Sequence, residues 1–121
     1  MRKGVAPEPG YTLIVSGGKV IGIIGNREDV TPPDALVSIT STETCNDGLW
    51  HQAMLIRDRP MQKLYLYVDG ELAATPVTDT FPYAISNDRP LTIGRWEQND
   101  FPYFFDGAID EIRITRDARH P

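Results

Sequence analysis

The chain has 121 residues, 40% hydrophobic and 24% charged, which is the size and composition of one soluble domain with a single core. A formal net charge of −5 argues against a nucleic-acid partner, which calls for a basic stripe. No apolar run reaches the roughly 18 residues of a membrane span. MRKGVAPEPGY meets proline and glycine before any apolar stretch, so no secretory leader is read there, and the compartment stays open because an export signal could lie on a longer parent chain.

Almost no helical periodicity is present. Short β-runs alternate with Gly, Pro, Asn and Asp clusters at intervals of roughly ten residues, the pattern of a sandwich or barrel. YTLIVS (11–16) and KVIGIIG (19–25) flank Gly17-Gly18, a two-residue hairpin signal. NREDVTPPD is a loop on composition. ALVSITST (35–42) is the next predicted strand, and Asn46-Asp47-Gly48 turns into LWHQAMLIR, where Trp50, Gln52, Met54 and Ile56 alternate with His51, Ala53, Leu55 and Arg57.

KLYLYVDGELAAT carries the clearest local signal, because Asp69-Gly70 suits a type I′ turn with positive φ at both central positions. The register then sets Val68 against Glu71 and Tyr67 against Leu72. Leu64, Leu66 and Val68 share one face, while Tyr65, Tyr67 and Leu72 share the other. Such a strand pair is covered on both sides, or it keeps a tyrosine face for a ligand.

PLTIGRW (90–96) is a predicted strand, EQNDFPYFF an aromatic loop, and GAIDEIRIT a closing strand; residues 1–10 and 116–121 are expected to fray. The closing strand poses a problem, since alternation puts Asp110 in line with Ile112 and Ile114 on a face that should meet a core. A carboxylate there needs a cation, backbone N–H groups or a metal.

The lone Cys45 forms no intrachain disulfide, and neither histidine has a partner at a zinc-ligand spacing. No nucleophile elbow and no phosphate-binding glycine loop is present.

DGLWHQAMLIRD, KLYLYVDGELAAT, RPLTIGR and FDGAIDEIRI, in that order from about Asp47 to Thr115, resemble the laminin G-like branch of the concanavalin A-like lectin/glucanase superfamily. The resemblance implies an all-β fold, an antiparallel jelly-roll β-sandwich, with Trp50 as a core anchor. Because family domains usually have further strands before YTLIVSGGKV, it also implies a minimal, N-terminally shortened version of that sandwich. Exposed edges on such a version invite a partner strand, so a homodimer or swapped assembly is expected. Some members bind a structural calcium ion through an aspartate in the last strand. For Asp110 this leaves two alternatives: a protein partner (Arg113, Arg95 or backbone N–H groups), or calcium.

Glucanases of this superfamily set acids as E-x-D-x-x-E or E-x-D-x-E on one strand, with the carboxyls about 5 Å or about 6.5–9.5 Å apart. This chain has neither pattern, and Asp110 and Glu111 alternate to opposite faces, so a non-catalytic module is expected. Carbohydrate recognition combines aromatic stacking with amides and carboxylates on hydroxyls. RWEQNDFPYFFD has that composition: Trp96, Tyr103 and Phe104 to stack, Gln98, Asn99 and Asp100 to hydrogen-bond, and Tyr83 with Asn87 for the same rim if the FPYAISNDRP loop folds nearby. The expected partner is a glycan or polysaccharide. The rival expectation is a self-associating protein-interaction module, with the loop aromatics plugging the sandwich end.

Overall fold

Two glycines close the first hairpin. Gly17 and Gly18 both hold positive φ (60° and 80°), a turn whose twist matches the flanking strands. β1 (Pro9–Ser16) and β2 (Lys19–Asn26) therefore pair antiparallel with Ser16 opposite Lys19, and β3 (Leu36–Thr40) adds to the other side of β2 with Ile24 opposite Val37. The computed structural model describes residues 9–26, 36–82, 84–85, 91–98 and 101–121. Among these residues there is no helix.

The second sheet is built around β5 (Lys63–Val68). β4 (Ala53–Asp58) lies on one side, while β6 (Glu71–Leu72) and β7 (Val77–Thr78) share the other. Asp69 and Gly70 have φ of 54° and 82°, and the expected register holds: Val68 faces Glu71 and Tyr67 faces Leu72. A third, two-stranded element pairs β8 (Arg95–Gln98) with β9 (Phe101–Phe104).

Alternation assigns each face. In the first sheet Val20, Ile24, Val37 and Ile39 are buried on one side. In the second, Leu64 and Leu66 are 0% exposed, and all six join Phe81 in one core cluster. The fold is an antiparallel β-sandwich.

At Gly22 a side chain from the second sheet packs directly onto the backbone of the first. A Cβ built there would lie 2.4 Å from Leu55 Cδ1 and 3.0 Å from Cδ2, so the isobutyl group of Leu55 occupies the volume a side chain would need. Leu55 pairs with Leu66, and Gly22 with Ile39, which places this contact amid the buried residues.

Polar groups at the rim are satisfied. The Val20 N–H donates to the buried Ser41 hydroxyl (3.0 Å), which donates to the Glu43 carbonyl (2.8 Å). Thr42 N–H donates to the Ala73 carbonyl (2.9 Å) and Ala73 N–H to that of Leu66 (2.8 Å), stitching the crossing segment to the second sheet. Arg57, on the core face beside Leu64, donates from Nε to the Asp79 carboxylate and from Nη2 to the Phe81 carbonyl (2.7 Å). The side chains of this pair are 9% and 2% exposed, and the guanidinium also lies over the Phe81 ring. Removing one partner of such a pair costs about 3–5 kcal/mol.

Several expectations are corrected. Trp50 is 71% exposed and precedes the strand, because β4 begins only at Ala53. Hydrogen bonds between Gln52 and Asp69 end the regular ladder there: Gln52 N–H donates to Asp69 Oδ1, and Asp69 N–H to the Gln52 carbonyl. The strand expected over 90–96 starts at Arg95, with Leu91 and Ile93 exposed, and the expected loop 97–105 supplies most of a hairpin. GAIDEIRIT is not a strand: residues 105–121 carry no regular structure, Glu111 has φ of 53°, and Ile109, Ile112 and Ile114 are all exposed. The tail expected to fray brings His120 onto the second sheet. Residues 1–8 lie outside the described residues.

Replacing Gly22 with valine should lower the unfolding free energy by about 1–3 kcal/mol, the range for overpacking. Leu55→Ala in the same chain should recover part of that loss. Urea unfolding of the two single variants and the double variant checks this; additive losses would contradict the contact.

Candidate functional site: the aromatic faces and the polar clasp

The Asp69-Gly70 turn does more than reverse the chain. His51 Nδ1 lies 2.7 Å from Asp69 Oδ2, and its Nε2 lies 2.7 Å from Asp47 Oδ1. Ionised carboxylates only accept, so both contacts are complete when the ring is doubly protonated. Hydrogen bonding to Asp69, and then to Asp47, raises the His51 pKa above its ordinary 6.5. The same bonds hold both carboxyls below their ordinary 3.8, with help from the N–H of Gln52 for Asp69 and of Leu49 for Asp47. The two carboxylates sit on opposite ring nitrogens, so the three groups do not converge on one ion. Among the described residues no cluster of His, Cys, Asp or Glu is arranged to hold a metal.

The outer face of the second sheet is aromatic. Tyr65 and Tyr67 are half-buried, with ring centroids 6.4 Å apart and planes 16° from parallel. Their partners on β4 are Ile56 and Met54, and Ile56 is buried although it lies outside the main core cluster. The imidazole of His120 stands edge-on to Tyr65, centroids 4.6 Å apart, with Nδ1 2.8 Å from the Tyr67 hydroxyl and Nε2 3.4 Å from Asp58 Oδ2.

The β8–β9 hairpin carries four of the expected binding residues or their neighbours. Trp96 is paired with Tyr103 and Gln98 with Phe101, so strand alternation puts these four positions on one face. Their connection is Asn99-Asp100, which with Tyr83 and Asn87 lies outside the described residues. Asp110 is exposed, and its Oδ1 accepts the Glu111 N–H at 2.8 Å. An open cleft of about 550 Å³ runs past Arg59, Gln62, Thr78 and Pro82, but its carboxylate, Asp79, is already held by Arg57.

A laminin G-type family model, described as the concanavalin A-like lectin/glucanases superfamily, matches residues 3–121. The chain belongs to this superfamily. Comparison with curated proteins and with solved structures found no match. Membership gives the domain its lectin-like character in general, while the ligand is a matter for side chains. Two side-chain groups of this lectin-like domain escaped sequence reasoning. The His51 clasp joins residues four and eighteen positions apart, and only the register of Gln52 opposite the Asp69 turn could have revealed it. The seat of His120 on the tyrosines spans more than fifty positions and had no local signal.

The clasp makes stability depend on pH. With its folded value raised, His51 adds stability below 6.5 and loses it as pH rises through the raised value. With theirs lowered, Asp47 and Asp69 add stability above 3.8 and lose it as pH falls through the lowered values. An NMR titration should place the His51 pKa above 6.5, and His51→Ala should flatten the alkaline decline in melting temperature. A value at or below 6.5 would contradict the clasp.

Proposed function

We propose that the chain is a non-catalytic carbohydrate-binding module of the adhesion type, with a glycan or polysaccharide as its partner. The observation that carries this reading is the direct pairing of Trp96 with Tyr103 in the β8–β9 hairpin of a lectin-like sandwich. Paired aromatics on a two-stranded platform offer an apolar surface for a sugar ring, and Gln98, Asn99, Asp100 and Tyr83 supply polar groups for its hydroxyls. Without E-x-D-x-E acids on one strand there is no carboxylate pair to cleave a glycosidic bond. Calcium bound through Asp110 belongs to the same proposal, as a stabiliser of the 105–121 segment.

A glycan array probed with the purified chain, with calcium and then with chelator, tests this. Saturable binding to related glycans is expected, weakened about tenfold by Trp96→Ala, the worth of one aromatic contact. Loss of binding in chelator would support the calcium role of Asp110, and unchanged binding would remove it. Failure to bind any glycan in either condition would overturn the reading.

One observation favours a second reading, self-association without sugar binding. Tyr11, Leu13 and Val15 lie on the core-facing side of β1, yet they are 45%, 45% and 43% exposed. Among the described residues β1 pairs only with β2. An open edge with an overhanging apolar row suits a second copy of the chain. Sedimentation velocity at high micromolar concentration should show a homodimer, and a compact monomer would exclude it.

A further inference from the structure

The outer face of β5 has the make-up of a ligand site, and a piece of the chain already sits on it. Tyr65 and Tyr67 form a strip of two near-parallel rings. Asp58 and Lys63 are directly paired at one end of the strip, a carboxylate and an ammonium that alternation places on the same face. Ile56, buried, is the cross-strand neighbour of Tyr65 on the same face. His120 shows what the face can hold: a small ring whose polar edge atoms meet the Tyr67 hydroxyl on one side and the Asp58 carboxylate on the other.

Little else fastens that occupant. Residues 105–121 are exposed throughout and carry no regular structure. Within the segment, the hydrogen bonds of Asp110 and Thr115 and the Arg119–Asp117 pair (3.9 Å) are local. Among the described residues, its hydrogen-bonded ties to the sheets are Phe105 N–H to the Gly94 carbonyl at one end and the His120 contacts at the other. A seat held by two exposed hydrogen bonds, one of them long at 3.4 Å, and ring-edge contacts is readily exchanged for a better-fitting group.

We infer that the Tyr65–Tyr67 face is a second sugar-binding surface and that His120 is its built-in, displaceable occupant. This rests on the glycan reading above and adds a subsite and a gate to it. A pyranose has the features His120 displays, a compact ring with polar atoms on its rim, and it has in addition an apolar face to lay on the tyrosines. Asp58 accepts from its hydroxyls, while Lys63 and the Tyr67 hydroxyl donate to them. While His120 is seated, the competent fraction of the surface is reduced, and apparent affinity falls in proportion.

The test measures affinity for the best glycan from the array, on full-length variants checked for unchanged melting temperature. His120→Ala should tighten binding about threefold to tenfold by freeing the surface. Tyr67→Phe, which keeps the ring but loses the hydroxyl that both His120 and the sugar use, should tighten binding less than His120→Ala does. Tyr65→Ala should weaken it about tenfold, and in the His120→Ala background as well. If His120→Ala and Tyr65→Ala both leave affinity unchanged while Trp96→Ala abolishes it, the surface has no part, although the chain still binds glycans. If neither the parent chain nor His120→Ala binds any glycan, both readings fall.

Discussion

The core of this sandwich depends on close packing between its two sheets, and one such contact is where Leu55 enters the space left by the missing side chain of Gly22. With a Cβ at Gly22 the sheets would have to separate or Leu55 would have to swing away. Without it, Leu64 and Leu66 reach Val20, Ile24, Val37 and Ile39 and lose all contact with water. Burying such side chains contributes about 1.5–3 kcal/mol each, which makes this seam the dominant favourable term. Because the core faces are fixed there, alternation fixes the opposite faces too, and the tyrosine strip of β5 points outward as a consequence.

The polar contacts act where the apolar seam ends. Ser41 satisfies the buried N–H of Val20 as the chain leaves the first sheet, and Thr42 and Ala73 carry the crossing onto the second. Arg57, Asp79 and Phe81 close the other end, a charged pair made tolerable in a dry place by a carbonyl, an aromatic face and mutual attraction. These contacts add little net stability but exclude alternatives, since each would leave an unpaired buried group if the sheets slipped.

What the sequence revealed was local chemistry. Gly17-Gly18 and Asp69-Gly70 each demand positive φ within two residues, so both hairpins, the register of the second and the faces of β5 were legible, as was the superfamily. Period-two alternation misled where no partner strand was there to use it. In GAIDEIRIT the pattern is present, but an unpaired strand leaves backbone groups to water, and Asp110 turns to the N–H of Glu111 instead. Trp50 failed as a core anchor because the Gln52–Asp69 bonds stop the ladder short of it. In the candidate site, the aromatic composition around Trp96 is visible in the sequence, but the strand pairing that sets Trp96 opposite Tyr103 is not. The clasp and the His120 seat depend on tertiary register, which no short window contains.

The β5 tyrosine strip thus faces outward on a frame in which Leu55 packs onto Gly22. Amide hydrogen exchange followed by NMR tests that packing most directly. If the seam joins the sheets into one cooperative unit, the amides of Ile24 and Val37 in the first sheet and of Leu64 and Leu66 in the second will exchange only through global unfolding, with one shared opening free energy. Separate opening energies for the two sheets, with one exchanging while the other stays protected, would contradict it.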